Sequence, residues 1–167
     1  MNPRTDPKVW AACSKEILKL ATPKLAALGF KRTKPTLFTR QREHWCEFIH
    51  VHKFTGNPRY RLHAGIRILN SSFPACALNG PCTLAGDRRF PLSFINSPDS
   101  WERCSDEFPK FASLVAEPWF DMLSTSDAIL ASSSPLRADD QAALRDALAG
   151  KVSPENIALS KKELGIK

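Results

Sequence analysis

No stretch of this sequence reaches the roughly 18 uncharged apolar residues that a membrane-spanning helix needs, so no span is expected. The first apolar stretch is broken by Lys15, Glu16 and Lys19, which excludes a secretory hydrophobic segment and makes a cytoplasmic location the expectation. Cys13, Cys46, Cys76, Cys82 and Cys104 are odd in number and contain no C-x-x-C pair, the usage of buried thiols in a reducing compartment. Cys76 and Cys82 flank the Asn79-Gly80-Pro81 turn signal, a geometry that allows them to face each other across a loop and from which no chemistry follows. There is no Gly-rich phosphate loop and no G-x-S-x-G elbow. RNP, helix-turn-helix and zinc-finger signatures are absent as well. These absences leave no cofactor and no catalytic set to expect.

What is present suits one globular unit. Hydrophobic residues at 43% and charged residues at 25% of 167 residues are enough to bury a core without staples, so residues 1–167 are expected to form a single α+β domain. The net charge of +7 is unevenly spread. Basic residues outnumber acidic ones by 14 to 4 over residues 1–70, are outnumbered 6 to 11 over 71–150, and lead 4 to 2 thereafter. A basic first part suits an anionic partner, whether an acidic protein, nucleic acid or another anion.

A first helix is expected over residues 7–28, with Asp6 as N-cap and Pro7 at the first helical position. Val9, Cys13, Ile17 and Leu20 recur at helical spacing, and Pro23 is expected to kink or divide the helix at Thr22. Gly29 fits the left-handed position after the helix, folding Phe30 back onto Leu25. A sheet region is expected over residues 36–95, with strands Leu37 to Arg42, Trp45 to Phe54 and Arg59 to Leu69, and a further short strand such as Arg89 to Ile95. C-terminal helices are expected over residues 105–165. One begins at Ser105 and keeps Phe108, Phe111, Val115, Trp119 and Met122 near one face, one runs from Pro135 to Gly150, and one opens at Ser153-Pro154. In this arrangement a helix packs on an antiparallel β-meander, followed by C-terminal helices.

The two long strands are joined by Thr55-Gly56-Asn57-Pro58. Pro58 has no amide hydrogen to close a two-residue turn, so Phe54 is placed opposite Arg59. That register gathers Trp45, Glu47, Ile49 and Val51 with Ile68, Ile66, Ala64 and Leu62 on a core face. The other face gathers Phe48, His50, His52 and Phe54 with Arg67, His63, Arg61 and Arg59. His50 then lies opposite His63, a possible three-histidine metal geometry with His52. However, Arg59 and Arg61 put positive charge beside any cation and no carboxylate orients the rings, so no metal is expected. His44 and Cys46 are close in sequence but point to opposite faces and form no nucleophile and base pair. Asp106-Glu107 and Asp139-Asp140 are expected at helix N-termini, where the dipole accounts for them.

The run Leu25-Ala26-Ala27-Leu28-Gly29-Phe30-Lys31-Arg32, then Phe38-Thr39-Arg40, the extended segment to Arg67, and later Pro118-Trp119-Phe120 resembles the bacterial domain of unknown function 4304 family. The resemblance covers most of the chain in order, except Cys76 to Pro91. It implies an α+β domain with a helix, an antiparallel sheet and C-terminal helices, and no established activity.

The expectation is therefore a non-enzymatic binding protein whose partner meets Phe48, His50, His52, Phe54, Arg59, Arg61, His63 and Arg67. Guanidinium forks suit carboxylate and phosphate, and the rings offer stacking surface. Protein recognition of the immunity type, neutralising a cognate toxin, is the leading reading, nucleic-acid binding through the same basic face is the alternative, and a metal-binding protein or uncharacterised enzyme is the third. An ordinary solvated face accounts for the same residues without any partner.

Overall fold

The computed structural model describes residues 6–84 and 86–167. Arg4, and Ala85 of the Ala85-Gly86-Asp87 turn signal, lie outside the described residues. An N-terminal helix α1 (Pro7–Ala26) is followed by a four-stranded antiparallel meander of β1 (Lys31–Lys34), β2 (Leu37–Gln41), β3 (Trp45–Lys53) and β4 (Tyr60–Ile68), in that spatial order. Then come α2 (Pro98–Phe111), a π-helical stretch (Ala112–Ala116), α3 (Glu117–Met122), α4 (Ser126–Leu130), α5 (Ala138–Leu148) and α6 (Pro154–Leu164). This is the expected α+β class. No helix among the described residues is long and apolar enough to cross a membrane.

The start and end of α1 follow from local chemistry. The Asp6 carboxylate accepts from the Lys8 N–H at 2.8 Å, satisfying one of the free donors of the first turn. At the other end Gly29 has φ +84°, the Phe30 N–H donates to the Leu25 carbonyl at 3.1 Å, and the Gly29 N–H donates to the Ala26 carbonyl at 2.9 Å. These are the two bonds of a Schellman cap. Of the two expected outcomes at Pro23, division does not occur, and the helix runs on to Ala26. Pro23 and Lys19 are both exposed, so the carbonyl that loses its donor faces water.

The β3–β4 register is the expected one, with Val51 opposite Leu62, His50 opposite His63 and His52 opposite Arg61. Ile49, Val51, Leu62 and Ile66 are buried in one core with Ile17, Leu18, Ala21 and Leu25 of α1 and with Phe108, Phe111 and Phe120 of the helices that follow the sheet. Strand β1 was not anticipated, because Lys31-Arg32-Thr33-Lys34 has no apolar alternation. Pairing with β2 makes it a strand, and its cations sit at the sheet edge, where they discourage further pairing.

Residues 89–95 are not a strand. Leu92, Ser93 and Phe94 instead run as irregular chain beside β4, with only an isolated bridge from Arg59 to Ser93. The outer edge of β4 is capped piecemeal. The Leu92 carbonyl accepts from the Tyr60 N–H, Thr83 Oγ1 accepts from the Leu62 N–H, and the Pro81 carbonyl accepts from the Ala64 N–H. The Asn79 carboxamide both accepts from the Ile66 N–H and donates to the Ile66 carbonyl. Pro81 and Pro91 cannot donate, which explains why this segment satisfies an edge without becoming a strand.

The next helix begins seven residues earlier than expected, at Pro98, with Ser97 as N-cap. Asp106 and Glu107 are therefore not at a helix N-terminus. They lie within α2, where Asp106 meets Lys24 and Glu107 meets Lys110. The π stretch precedes Pro118, whose ring would crowd the Leu114 carbonyl in a regular helix, and the Glu117 N–H reaches back five residues to the Ala112 carbonyl. Phe120 turns inward, but Met122 is 69% exposed and leaves the expected apolar face. α4 was not foreseen, and α5 starts at Ala138 rather than Pro135. Asp139 and Asp140 do occupy the first turn of α5. α6 has the expected Ser153 cap and ends at Gly165.

Candidate functional site

Alternation along β3 and β4 turns one set of side chains away from the main core, and that set divides into two halves. The half containing Cys46, Phe48 and Arg67 is covered. Leu164, Ile157 and Ile166 from the C-terminal end of the chain pack there with Leu37, Cys46, Phe48, Leu69 and Cys76 as a second, smaller core. Phe48 is 0% exposed. It lies over Gly65, its direct partner across the strands, and a Cβ at Gly65 would collide with the ring. Glycine in mid-strand here is the space for an aromatic ring.

Arg67 is 4% exposed and fully engaged. Its Nε donates to Ser160 Oγ at 2.8 Å, Nη1 donates to the Ala75 carbonyl, and Nη2 donates to the carbonyls of Phe73 at 2.9 Å and Ser71 at 3.3 Å. Burial lowers its pKa from the ordinary arginine value. Phe48 and Arg67, expected on an open binding face, thus build the interior. The correction has a simple cause: α6 supplies Ser160 and Leu164 from 93 or more positions away, beyond the reach of strand periodicity.

The other half stays open. His52 is exposed, and His50, Phe54, Arg59, Arg61 and His63 are half-buried. The guanidinium carbons of Arg59 and Arg61 lie 4.8 and 5.4 Å from the centre of the Phe54 ring, and His52 meets the same ring edge-on at 4.8 Å. Among the described residues neither arginine pairs with a carboxylate, and the Nε atoms of both are shielded from solvent without an acceptor. His50 and His63 are 6.2 Å apart between ring centres, and His52 and His63 are 6.5 Å apart. Burial, then His50, Arg61 and His52, pushes His63 down to about 4, and burial followed by His52 lowers His50. At neutral pH the two inner imidazoles are uncharged, and the positive charge of this face comes from the arginines. No group of three or more His, Cys, Asp or Glu among the described residues is placed to hold a metal ion.

A groove of about 210 Å³ adjoins Phe54, and Arg59, Arg61, Leu84, Arg88 and Phe90 are among the residues lining it. Arg88 and Leu84 were missed in the sequence. The only signal was a pair of arginines after a turn, which says nothing about which strand the turn returns to. Asp87 also lines this groove, but its carboxylate accepts from the backbone N–H, Nε and Nη2 of Arg89 and is not free for Arg59 or Arg61.

Two of the cysteines are buried away from any thiolate chemistry. Burial pushes the Cys46 and Cys104 thiols up to about 12, far from the thiolate form at neutral pH. Cys76 packs beside the second core, whereas Cys82 bridges His63 at the β4 edge, and all five are free thiols.

A second polar cluster went unnoticed in the sequence and is structural. Arg40 Nε donates to Glu47 at 2.7 Å, and its Nη1 and Nη2 grip Glu117 at 2.7 and 2.8 Å. Nη1 also donates to the Leu28 carbonyl at 3.0 Å, and Arg42 completes Glu47 from the other side. The runs around Leu28 to Phe30, Phe38 to Arg40 and Pro118 to Phe120 therefore meet at one guanidinium. In comparisons with known proteins, no family model, no curated protein and no solved structure matches the chain.

Proposed function

We propose that this chain is a non-enzymatic binding protein that recognises an acidic protein partner, in the manner of a toxin-neutralising immunity protein, through the open half of the sheet face. The observation that carries the reading is the pair Arg59 and Arg61, held against one Phe54 ring with no carboxylate partner among the described residues. Surface arginines that serve only solubility cost nothing to leave solvated, but a preorganised pair saves side-chain entropy at an interface. His52 and the half-buried His50 and His63 add flat, partly apolar surface beside the charges. Tyrosine, tryptophan and arginine dominate protein interfaces for a related reason, since they bring contact area and hydrogen bonds together. The family resemblance adds no activity, so the reading rests on these residues.

The test is capture of partners from the native host with and without nuclease, followed by direct binding measurements with the captured protein. The Arg59→Glu/Arg61→Glu double variant should bind much more weakly while keeping its circular dichroism spectrum, because charge reversal removes hydrogen bonds and adds repulsion. Unchanged binding by the folded double variant moves the interface elsewhere. Capture that disappears with nuclease, with affinity falling steeply with salt for every sequence, supports nucleic acid in place of a protein partner.

A further inference from the structure

The groove beside Phe54 gathers three arginines along its lining. Arg59, Arg61 and Arg88 line about 210 Å³, and the carboxylate on its wall, Asp87, is already neutralised by Arg89. Three guanidiniums are left without a counter-ion among the described residues. The Nε–H groups of Arg59 and Arg61 have no acceptor and are themselves shielded from solvent. Leu84, 69% exposed, and Pro91 form an apolar side to the same groove.

We propose that this groove is a binding site for a phosphate monoester, with the phosphoryl oxygens between Arg59, Arg61 and Arg88 and the organic group against Leu84 and Pro91. A carboxylate brings one charge and two oxygens. A phosphate monoester brings about 1.5 to 2 negative charges at pH 7 and three acceptor oxygens, which matches several guanidiniums better. Guanidinium forks bind such oxygens in pairs, with charge-assisted hydrogen bonds roughly twice as strong as neutral ones. The Phe54 ring is already occupied by two guanidiniums and an imidazole edge, so it serves as the support that aims the arginines and not as a stacking platform for a base. The site does not depend on the protein-partner reading, because a small phosphate ester probes it with no protein present.

The experiment is titration of the full chain with methyl phosphate at pH 7.5 and low ionic strength, followed through the arginine Nε–H signals by NMR. Inorganic phosphate and acetate are run at matched ionic strength. Saturable binding that shifts the Arg59 and Arg61 signals is expected, at least about tenfold tighter than for acetate. Arg59→Gln and Arg61→Gln should each weaken it severalfold, and Arg145→Gln on α5 should leave it unchanged. The proposal is overturned by the absence of saturable shifts in the wild-type chain, by equal binding of acetate, by a groove that takes inorganic phosphate but rejects methyl phosphate, or by folded Arg59 and Arg61 variants that bind like the wild type. Failure here leaves the charge-reversal result with a captured protein standing. A failed charge reversal likewise leaves the methyl phosphate titration standing.

Discussion

Arg40 sits with its guanidinium carbon 4.5 Å from the centre of the Phe30 ring, fixing the residue just beyond the cap of the first helix to the second strand of the sheet. Through Glu117 the same side chain ties in the third helix. Removing it leaves Glu47, 1% exposed, with Arg42 alone and strips Glu117 of both of its hydrogen bonds. Arg40→Ala should therefore cost about 2 kcal/mol, since Glu117 loses its partner and the buried Glu47 keeps only the more exposed Arg42. Urea unfolding of the variant measures this. A loss below about 0.5 kcal/mol would make the cluster a surface ornament.

Leu62 lies opposite Val51 and is fully buried in the main core. Leu62→Ala should destabilise by about 2 to 5 kcal/mol through lost burial and the cavity left behind. The same unfolding measurement checks it, and a near-neutral effect would contradict the hairpin register.

Arg61 and Arg67 share a strand face but should respond differently to charge reversal. Arg61→Glu leaves the fold intact and acts on binding. Arg67→Glu places a carboxylate among the carbonyls of Ser71, Phe73 and Ala75 and should lower stability by about 3 kcal/mol or more. Thermal melts of the two single variants separate the roles. Equal melting temperatures would show that Arg67 is not held as described.

Gly65→Ala should destabilise by about 1 to 3 kcal/mol, because the new methyl meets the Phe48 ring in a packed layer. Shortening the ring by Phe48→Leu in the same chain should recover part of that loss. A double-mutant cycle reads the coupling directly, and strictly additive effects would exclude contact between the two positions.

His63 has a pKa of about 4 in the fold against 6.5 for an unperturbed imidazole. Between those values the unfolded chain holds a proton that the folded chain does not, so stability falls as pH drops from 6.5 toward 4. His50, lowered for the same first reason of burial, acts in the same direction. Urea midpoints measured across this window should slope less steeply in His63→Gln than in the wild type. Parallel slopes would mean that His63 titrates normally.

Local events were legible in neighbouring residues alone. Asp6-Pro7 opens a helix, Gly29 closes it with φ +84°, and Pro58 forbids the tight turn that would shift the long hairpin. Each of these is decided by neighbours within a few residues, and period-two alternation then separates the core face from the other face. Whether that other face is open was decided only in three dimensions. Ser160 and Leu164 close over Arg67 and Phe48, while Arg59 and Arg61 line a groove with Leu84 and Arg88, and Arg88 arrives from a loop with no periodicity of its own. The alternation of β4 is the same at Arg61 and Arg67, so the strand cannot distinguish them. The Ser160 hydroxyl of a distant helix and the carbonyls of Ser71, Phe73 and Ala75 satisfy the Arg67 guanidinium, while the Nε atoms of Arg59 and Arg61 are shielded from solvent without an acceptor.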